Sequence, residues 1–376
     1  MNVFFLDQSG QPGGAELCLA DIVLAFPTGA VGLLQDGPFR TLLEAQATPV
    51  TVLATEGLGV RKDSGLLAGV SSLGQLLPLI YRTAQAAAAY DVIYANTPKA
   101  LIVGALASVL SRRPLVYHLH DIISTEHFSP INCRLLVGLA NRFAQLVIAN
   151  SQASEAAFVA AGGDPQKVSV VYNGFRPDRY RLAPDPTLRQ ALGLGDRFVV
   201  GHFSRLSPWK GQHVLIEALA HCPDDVVAVL VGDALFGEDD YVAQLKQQVQ
   251  RLNLGDRVHF LGFRADIPAL MQSCDLVAHT STAPEPFGRV IVEAMLCQRV
   301  AIAAAAGGAT ELIDHGKTGW LCPPNDPQKL AELILATYHG PEQAAAMAIA
   351  AQAQACSTFN LEHTNQRICT LLAQVV

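Results

Sequence analysis

The sequence predicts an α/β protein built from two doubly wound parallel sheets, one in each of two domains, and three observations carry that expectation. Short apolar runs of strand length recur along the chain with helical stretches between them, the rhythm of βαβ units whose strands are buried on both faces. At 376 residues the chain exceeds one ordinary core and fits two domains. A stretch rich in proline, glycine and charge, Asn173 to Pro186 (NGFRPDRYRLAPDP), separates the runs into two sets.

In order, the strand-like runs before that linker are VFFL, PVTVLA, DVIYA, PLVYHLH, QLVIANS and VSVVYN. After it come RFVVGHF, VVAVLVGD, RVHFLGF, DLVAHTS and VAIAAAA. The alanine-rich stretch Glu342 to Ala355 reads as a helix, and an amphipathic helix from Leu361 to Val376 closes the chain. These readings place one domain at residues 1–178, a second at 179–355 and a terminal helix within 356–376.

Composition narrows the classes of function. Half the residues are apolar and 16% are charged, yet no uninterrupted apolar run approaches the roughly 18 residues of a membrane span. The start, MNVFFLDQSG, has no basic segment and meets Asp7 early, so it reads as a first strand rather than a secretory leader. Eight cysteines without a CxxC pair fit reduced thiols in a cytoplasmic protein. A net charge of -7 disfavours nucleic acid as a partner. One stretch runs against that balance: Lys99, Arg112, Arg113, Arg134 and Arg142 face only Asp121 and Glu126. Such a surface suits peripheral contact with anionic lipid or an anionic acceptor, and scattered arginines solvating a helix face explain it equally well.

Parallel sheets bind ligands beyond the carboxyl ends of their strands, and each motif of interest falls at such an end. After the first strand, Gly13 and Gly14 open a helix, where bare backbone approaches a phosphate closely. The form is not GxGxxG, which weakens a dinucleotide reading. The run LVYHLH ends on His120 and Asp121, with His118 on the same strand face as His120. That cluster suits either a metal site completed by a third ligand from elsewhere or a histidine hydrogen-bonded in a packed cleft.

In the second half, FSRLSPWKGQ puts Arg205 and Lys210 on a loop that opens a helix near Gln212, a cation pair suited to a diphosphate. The run EPFGRVIVE then spaces Glu285 and Glu293 across a strand-to-helix junction. Phe287, Gly288, Arg289 and Val290 fall where first-turn amides lack helical acceptors. Glu293 stands about 7.5 Å along the helix from Gly288 at 1.5 Å per residue, and a carboxylate accepts two bonds from a vicinal diol. The plain reading of Glu293 is a surface helix residue.

Taken in order, GGAE, YDVIYANTPKA, HLHD, VIANS, VSVVYNG, FSRLSPWKG, VGD, FLGF, EPFGRVIVEAM, GGATELI and HGKTGWLCPPNDPQKLAELI run through nearly the whole chain. In that order they resemble glycosyltransferase family 4, the retaining enzymes of GT-B fold. The resemblance implies two Rossmann-like domains facing each other across a cleft, with the last helix crossing back to the first. By the same resemblance Arg205 and Lys210 bind the donor diphosphate, Glu293 the ribose and Glu285 the hydroxyls of the transferred sugar, beside the amides of Phe287, Gly288 and Arg289. Val290 and Gly14 approach the phosphates, Gly262, Phe263 and Arg264 lie near the base, and His120 stands at the sugar's reacting face rather than at a metal.

The implied activity moves a hexose from a nucleotide-diphosphate sugar, with UDP-glucose the first expectation, to a saccharide, glycolipid or polysaccharide-precursor acceptor. Charge explains how: anomeric C–O cleavage pushes negative charge onto the diphosphate, where Arg205, Lys210 and the helix start stabilise it. With no DxD at a suitable strand end, no divalent metal is expected to be required. Ser204, Trp209, Gln298, Val300, Ala304 and Ala305 depart from the family pattern and bear on sugar identity more than on the reaction. A non-catalytic sugar-nucleotide-binding protein on the same fold is the alternative, and a nicotinamide oxidoreductase stands behind it for want of GxGxxG.

Overall fold

The computed structural model describes residues 1–53, 70–181, 186–234 and 237–376. Two compact units emerge, Met1–Phe175 with Leu361–Val376, and Arg176–Asn360. Their boundary falls at Phe175 rather than at residue 178 as the sequence suggested, and residues 182–185 of the linker lie outside the described residues.

The first unit holds a seven-stranded, all-parallel sheet in the order β3-β2-β1-β4-β5-β6-β7. Its strands are β1 (Val3–Asp7), β2 (Ala30–Leu33), β3 (Val50–Val52), β4 (Val92–Ala95), β5 (Leu115–Leu119), β6 (Ala144–Ala149) and β7 (Val168–Val170). The order in which successive strands are added reverses at the β1/β4 pair, so the loops leaving β1 and β4 turn to opposite faces of the sheet there. One face packs helices Val70–Ala87, Pro98–Ser111 and Pro130–Phe143 against Phe4, Leu6, Ile93 and Tyr117. The other packs Gly14–Val23 and Pro38–Ala45 against Phe5, Val31 and Tyr94, and the terminal helix Leu361–Leu372 joins that face through Ile368, Leu371 and Leu372. Helix starts follow local chemistry: Pro98 and Pro130 occupy first-turn positions, and the Ser129 and Ser151 hydroxyls accept from the amides of Asn132 and Ser154.

Gly174 explains how the terminal helix seats. A side chain there would meet the Leu361 Cα at 2.6 Å, so only a bare backbone permits the contact. The Leu361 amide donates to the Phe175 carbonyl at 2.9 Å and the Thr364 hydroxyl to Tyr172 O at 3.1 Å. The segment that joins the first unit begins at Leu361 rather than at residue 356, because the alanine-rich helix continues unbroken over Pro341–Thr358 and buries Met347 and Ala348 in the second unit.

The second unit holds a six-stranded parallel sheet, β10-β9-β8-β11-β12-β13. Its strands are β8 (Phe198–Phe203), β9 (Val226–Val231), β10 (Val258–Gly262), β11 (Leu276–His279), β12 (Val300–Ala304) and β13 (Trp320–Cys322). Here the reversal lies between β8 and β11. Two strands escaped the sequence reading, β2 and β13. β2 carries Gly32, whose missing side chain makes room for the Phe4 ring, and a glycine weakens an apolar run. β13 is three residues long and lies between a turn and two prolines.

Candidate active site

In the second unit, the loop leaving β8 forms a 3-10 turn, Pro208–Lys210, and then enters helix Gln212–Leu219 through Gly211. Gly211 has φ +71° and presses on the carboxyl end of β11: a Cβ there would stand 1.9 Å from the Thr280 carbonyl. The Thr280 hydroxyl in turn donates to the carbonyls of Lys210 and Gly211 at 3.1 and 2.8 Å. The two strand ends on either side of the reversal are thus sewn together, and Lys210 is delivered to the loop that follows β11.

That loop carries Glu285. Its backbone bridges to Gly307, and the Gly308 amide donates to the Glu285 carbonyl at 2.7 Å. A Cβ on Gly307 would meet Glu285 O at 2.3 Å, so the paired glycines after β12 hold the EPFG run against the sheet. Lys210 Nζ lies 2.8 Å from Glu285 Oε2, His279 Nε2 3.0 Å and Ser281 Oγ 3.0 Å from the same oxygen. Burial pushes the Glu285 carboxyl up, and the Lys210 ammonium with the His279 contact outweighs it, holding the group well below the usual carboxylate range. Lys210 Nζ also stands 3.9 Å from the centroid of the Trp209 ring, a cation-π contact that steadies the ammonium. Trp209, a departure from the family pattern, thereby acquires a role.

Helix Arg289–Leu296 follows, entered through Gly288 at φ +99°. It starts at Arg289, later than the sequence reading placed its first donors. Phe287 lies ahead of it as a buried anchor packed edge-on against Phe359 at 5.8 Å, so its amide is not a first-turn donor. Val290 keeps a first-turn position. Glu293, one turn in, has a side chain 15% exposed, with Arg289 at 3.7 Å and the Tyr180 hydroxyl at 3.5 Å. It is a half-buried residue at the helix start and not a solvated surface group.

Arg205 pairs with Glu238 at 3.2 Å, and Ser207 holds the other Glu238 oxygen at 2.7 Å. Glu238, His279 and Ser281 escape the sequence reading because Glu238 gains its meaning from Arg205 at another strand end, and His279 and Ser281 gain theirs from the loop after β11 folding Glu285 back onto them. At the end of β10, Gly262 takes φ +65° and accepts from the Gly232 amide at 2.8 Å. Phe263 is 73% exposed beside it, and Arg264 is held by Asp266 at 2.8 Å.

In the first unit, Gly13 caps helix Gly14–Val23, and Gly14 is exposed at its start. The Gly13 amide donates to Glu16 Oε2 at 3.0 Å. His120 Nε2 stands 3.0 Å from Asn96 Oδ1, and Asn96 Nδ2 donates to Asp7 Oδ2 at 2.7 Å across the β1/β4 reversal. His118 is buried and bonded to the Tyr94 hydroxyl at 2.7 Å. Each histidine of the HxHD cluster thus has its own hydrogen-bond partner, Tyr94 for His118 and Asn96 for His120, and among the described residues no three His, Cys, Asp or Glu side chains group as metal ligands. Burial and the neighbouring Asp7 charge push the Glu16 carboxyl up to about 8, and burial pushes Asp7 up to about 6.

Both units therefore gather polar side chains at the sheet reversal, as a nucleotide-binding α/β pair does. The family model for group 1 glycosyl transferases matches residues 185–354, and a glycosyl transferase 4-like domain matches 22–174. Anabaena Alr3699/HepE, crystallised with UDP and glucose, is 57% identical over 99% of both chains, with a TM-score of 0.93. This chain belongs to glycosyltransferase family 4.

As a member of that family it has the GT-B fold. A GDP-mannose-dependent alpha-(1-6)-phosphatidylinositol monomannoside mannosyltransferase of Mycolicibacterium smegmatis is 30% identical over 74% of this chain and 75% of its own length. A D-inositol 3-phosphate glycosyltransferase of Mycolicibacterium paratuberculosis is 28% identical over 74% of this chain, a match spanning 66% of that relative. All eight cysteines of the glycosyltransferase are free thiols. No helix of the described residues is long and apolar enough to cross a membrane.

Proposed function

We propose that this glycosyltransferase moves a hexose from a UDP-sugar, UDP-glucose first, to a saccharide or lipid-linked acceptor, with retention at the anomeric carbon and without a divalent metal. The observation that carries the reading is the meeting of Lys210 and Glu285 at 2.8 Å beside the β8/β11 reversal. One cation for a diphosphate and one carboxylate for sugar hydroxyls stand next to each other there, both on rigid supports. The donor class is supported by the Anabaena protein, solved with UDP-glucose and 56% identical over the full length of both chains; the more distant mannosyltransferase makes the GDP-sugar the competing donor.

Lys210, Arg205 and the start of helix Arg289–Leu296 supply positive charge as the leaving diphosphate becomes negative. Glu285 Oε2 is committed to Lys210, His279 and Ser281, so Oε1 is the oxygen turned to the sugar. Glu293 grips the ribose, the exposed Phe263 ring beside Gly262 and Arg264 stacks on the base, and Val290 approaches the phosphates. Retention then follows from front-face attack in which the leaving phosphate accepts the acceptor's proton. The protein acts in the cytoplasm, where the basic stretch around Arg112 and Arg134 of the first unit is available for an anionic acceptor or a lipid headgroup.

A panel of UDP-, GDP- and ADP-sugars tests this by thermal stabilisation in EDTA, because a ligand that binds only the native state raises the unfolding temperature. UDP-hexoses should stabilise the protein most. Stabilisation by GDP-sugars alone, or only after manganese is restored, would contradict the proposal.

A further inference from the structure

Three donors converge on Glu285 Oε2, and only one of them, Lys210, is a cation that a diphosphate also wants. The other two come from the strand end itself. His279 is the last residue of β11, 4% exposed, and Ser281 follows two residues later, 1% exposed. Their hydrogen bonding is fixed by what they face. Glu285 Oε2 only accepts, and the Ser281 hydroxyl spends its single proton on that same oxygen at 3.0 Å, so Ser281 meets the histidine as an acceptor at 3.2 Å. His279 Nε2 must therefore carry the proton and donate to both.

The opposite edge of the ring has no such support. His279 Nδ1 is buried without a hydrogen-bond partner, and the residue lines a small cavity whose other walls include Val214, Ile302 and Leu330. A buried nitrogen left unsatisfied is a cost that an apolar side chain at this strand position would avoid. The rest of β11 is Leu276, Val277 and Ala278, all apolar and buried. Packing does not account for a histidine at the end of that run. Its Nε2 contact with Glu285 does.

We propose that His279 is a positioning residue for recognition of the transferred sugar: with Ser281 it holds the Glu285 carboxylate in place when Lys210 turns to the donor diphosphate. The inference rests on the donor reading given above. It separates two tasks that the Lys210–Glu285 pair alone would entangle, gripping phosphate and gripping sugar. A His279 variant should then damage only the second.

The test compares UDP with UDP-glucose by calorimetry on wild type, His279→Ala and His279→Gln, with thermal unfolding run alongside. The wild type should hold UDP-glucose more tightly than UDP. His279→Ala should bind UDP within about twofold of wild type and lose about tenfold of the advantage of UDP-glucose, the effect of one hydrogen bond to a charged group. His279→Gln, whose amide nitrogen reaches the Nε2 position, should recover part of that advantage. Equal losses for UDP and UDP-glucose, or an unchanged ratio in His279→Ala, would overturn the positioning role, as would a wild type that holds the two ligands equally. A wild type that binds neither uridine ligand would overturn the donor reading itself.

Discussion

Lys210 and Glu285, 75 positions apart in the chain, meet at 2.8 Å because Gly211 lies against the end of β11 and Gly307 lies against Glu285 itself. The two carboxyl-edge loops on either side of the β8/β11 reversal are locked by backbone contacts that no side chain could tolerate. Charge placement here follows from glycine placement.

Lys210→Ala is expected to lower turnover by about 100-fold or more, the usual loss when a group stabilising developing charge is removed. Glu285→Gln should lower it comparably and lower the unfolding temperature as well, since the amide can still accept from His279 and Ser281 but no longer balances the Lys210 charge. Steady-state UDP release on folded variants checks both. Near-native turnover in Lys210→Ala would remove the phosphate assignment.

The glutamates of the two units pull stability in opposite directions with pH. Glu285 is held below its ordinary value, so its contribution is present above about pH 4.5 and fades as the pH falls below that. Glu16 is raised from 4.5 to about 8, which means the folded state keeps a proton the unfolded state has lost; stability should fall between those limits, by up to about 1.4 kcal/mol per pH unit. Asp7, raised from 3.8 to about 6, adds to the acid end of that slope. Denaturant titrations from pH 5 to 8 should show the decline in wild type and a flatter profile in Glu16→Gln, which keeps an acceptor for the Gly13 amide.

Phe263→Ala should leave the unfolding temperature nearly unchanged, because the side chain is 73% exposed and contributes little to the core. Its loss should weaken UDP binding by about 1–3 kcal/mol, as for other bases that lose an aromatic platform. Calorimetry with UDP alone provides the measurement, and unaltered affinity would move the base away from β10.

Gln298→Gly should stabilise the protein by about 0.5–1 kcal/mol. Gln298 is exposed and takes φ +56° just past Cys297, the C-cap of helix Arg289–Leu296, a conformation in which glycine is unstrained. Urea unfolding reads the change directly.

Strand periodicity made both sheets and most of their members legible, since parallel strands buried on two faces announce themselves as unbroken apolar runs. β2 and β13 were hidden by Gly32 and by a length of three residues. At the site, residues within one motif were legible, whereas partnerships across strand ends were not. Nothing in the spacing of Glu238 announces that it meets Arg205, because that meeting depends on sheet order, and the six residues from His279 to Glu285 do not reveal that the loop leaving β11 folds back on its own strand end. The start of the EPFG helix was also misread: Gly288 in a left-handed conformation delays it, and Phe287 is drawn inward by Phe359.

The most direct test is proton NMR of glucose freshly released from UDP-glucose by the purified protein in EDTA. The account predicts UDP release with the α-anomer of glucose appearing first, before mutarotation. First appearance of the β-anomer, or release that begins only on adding a divalent metal, would contradict it.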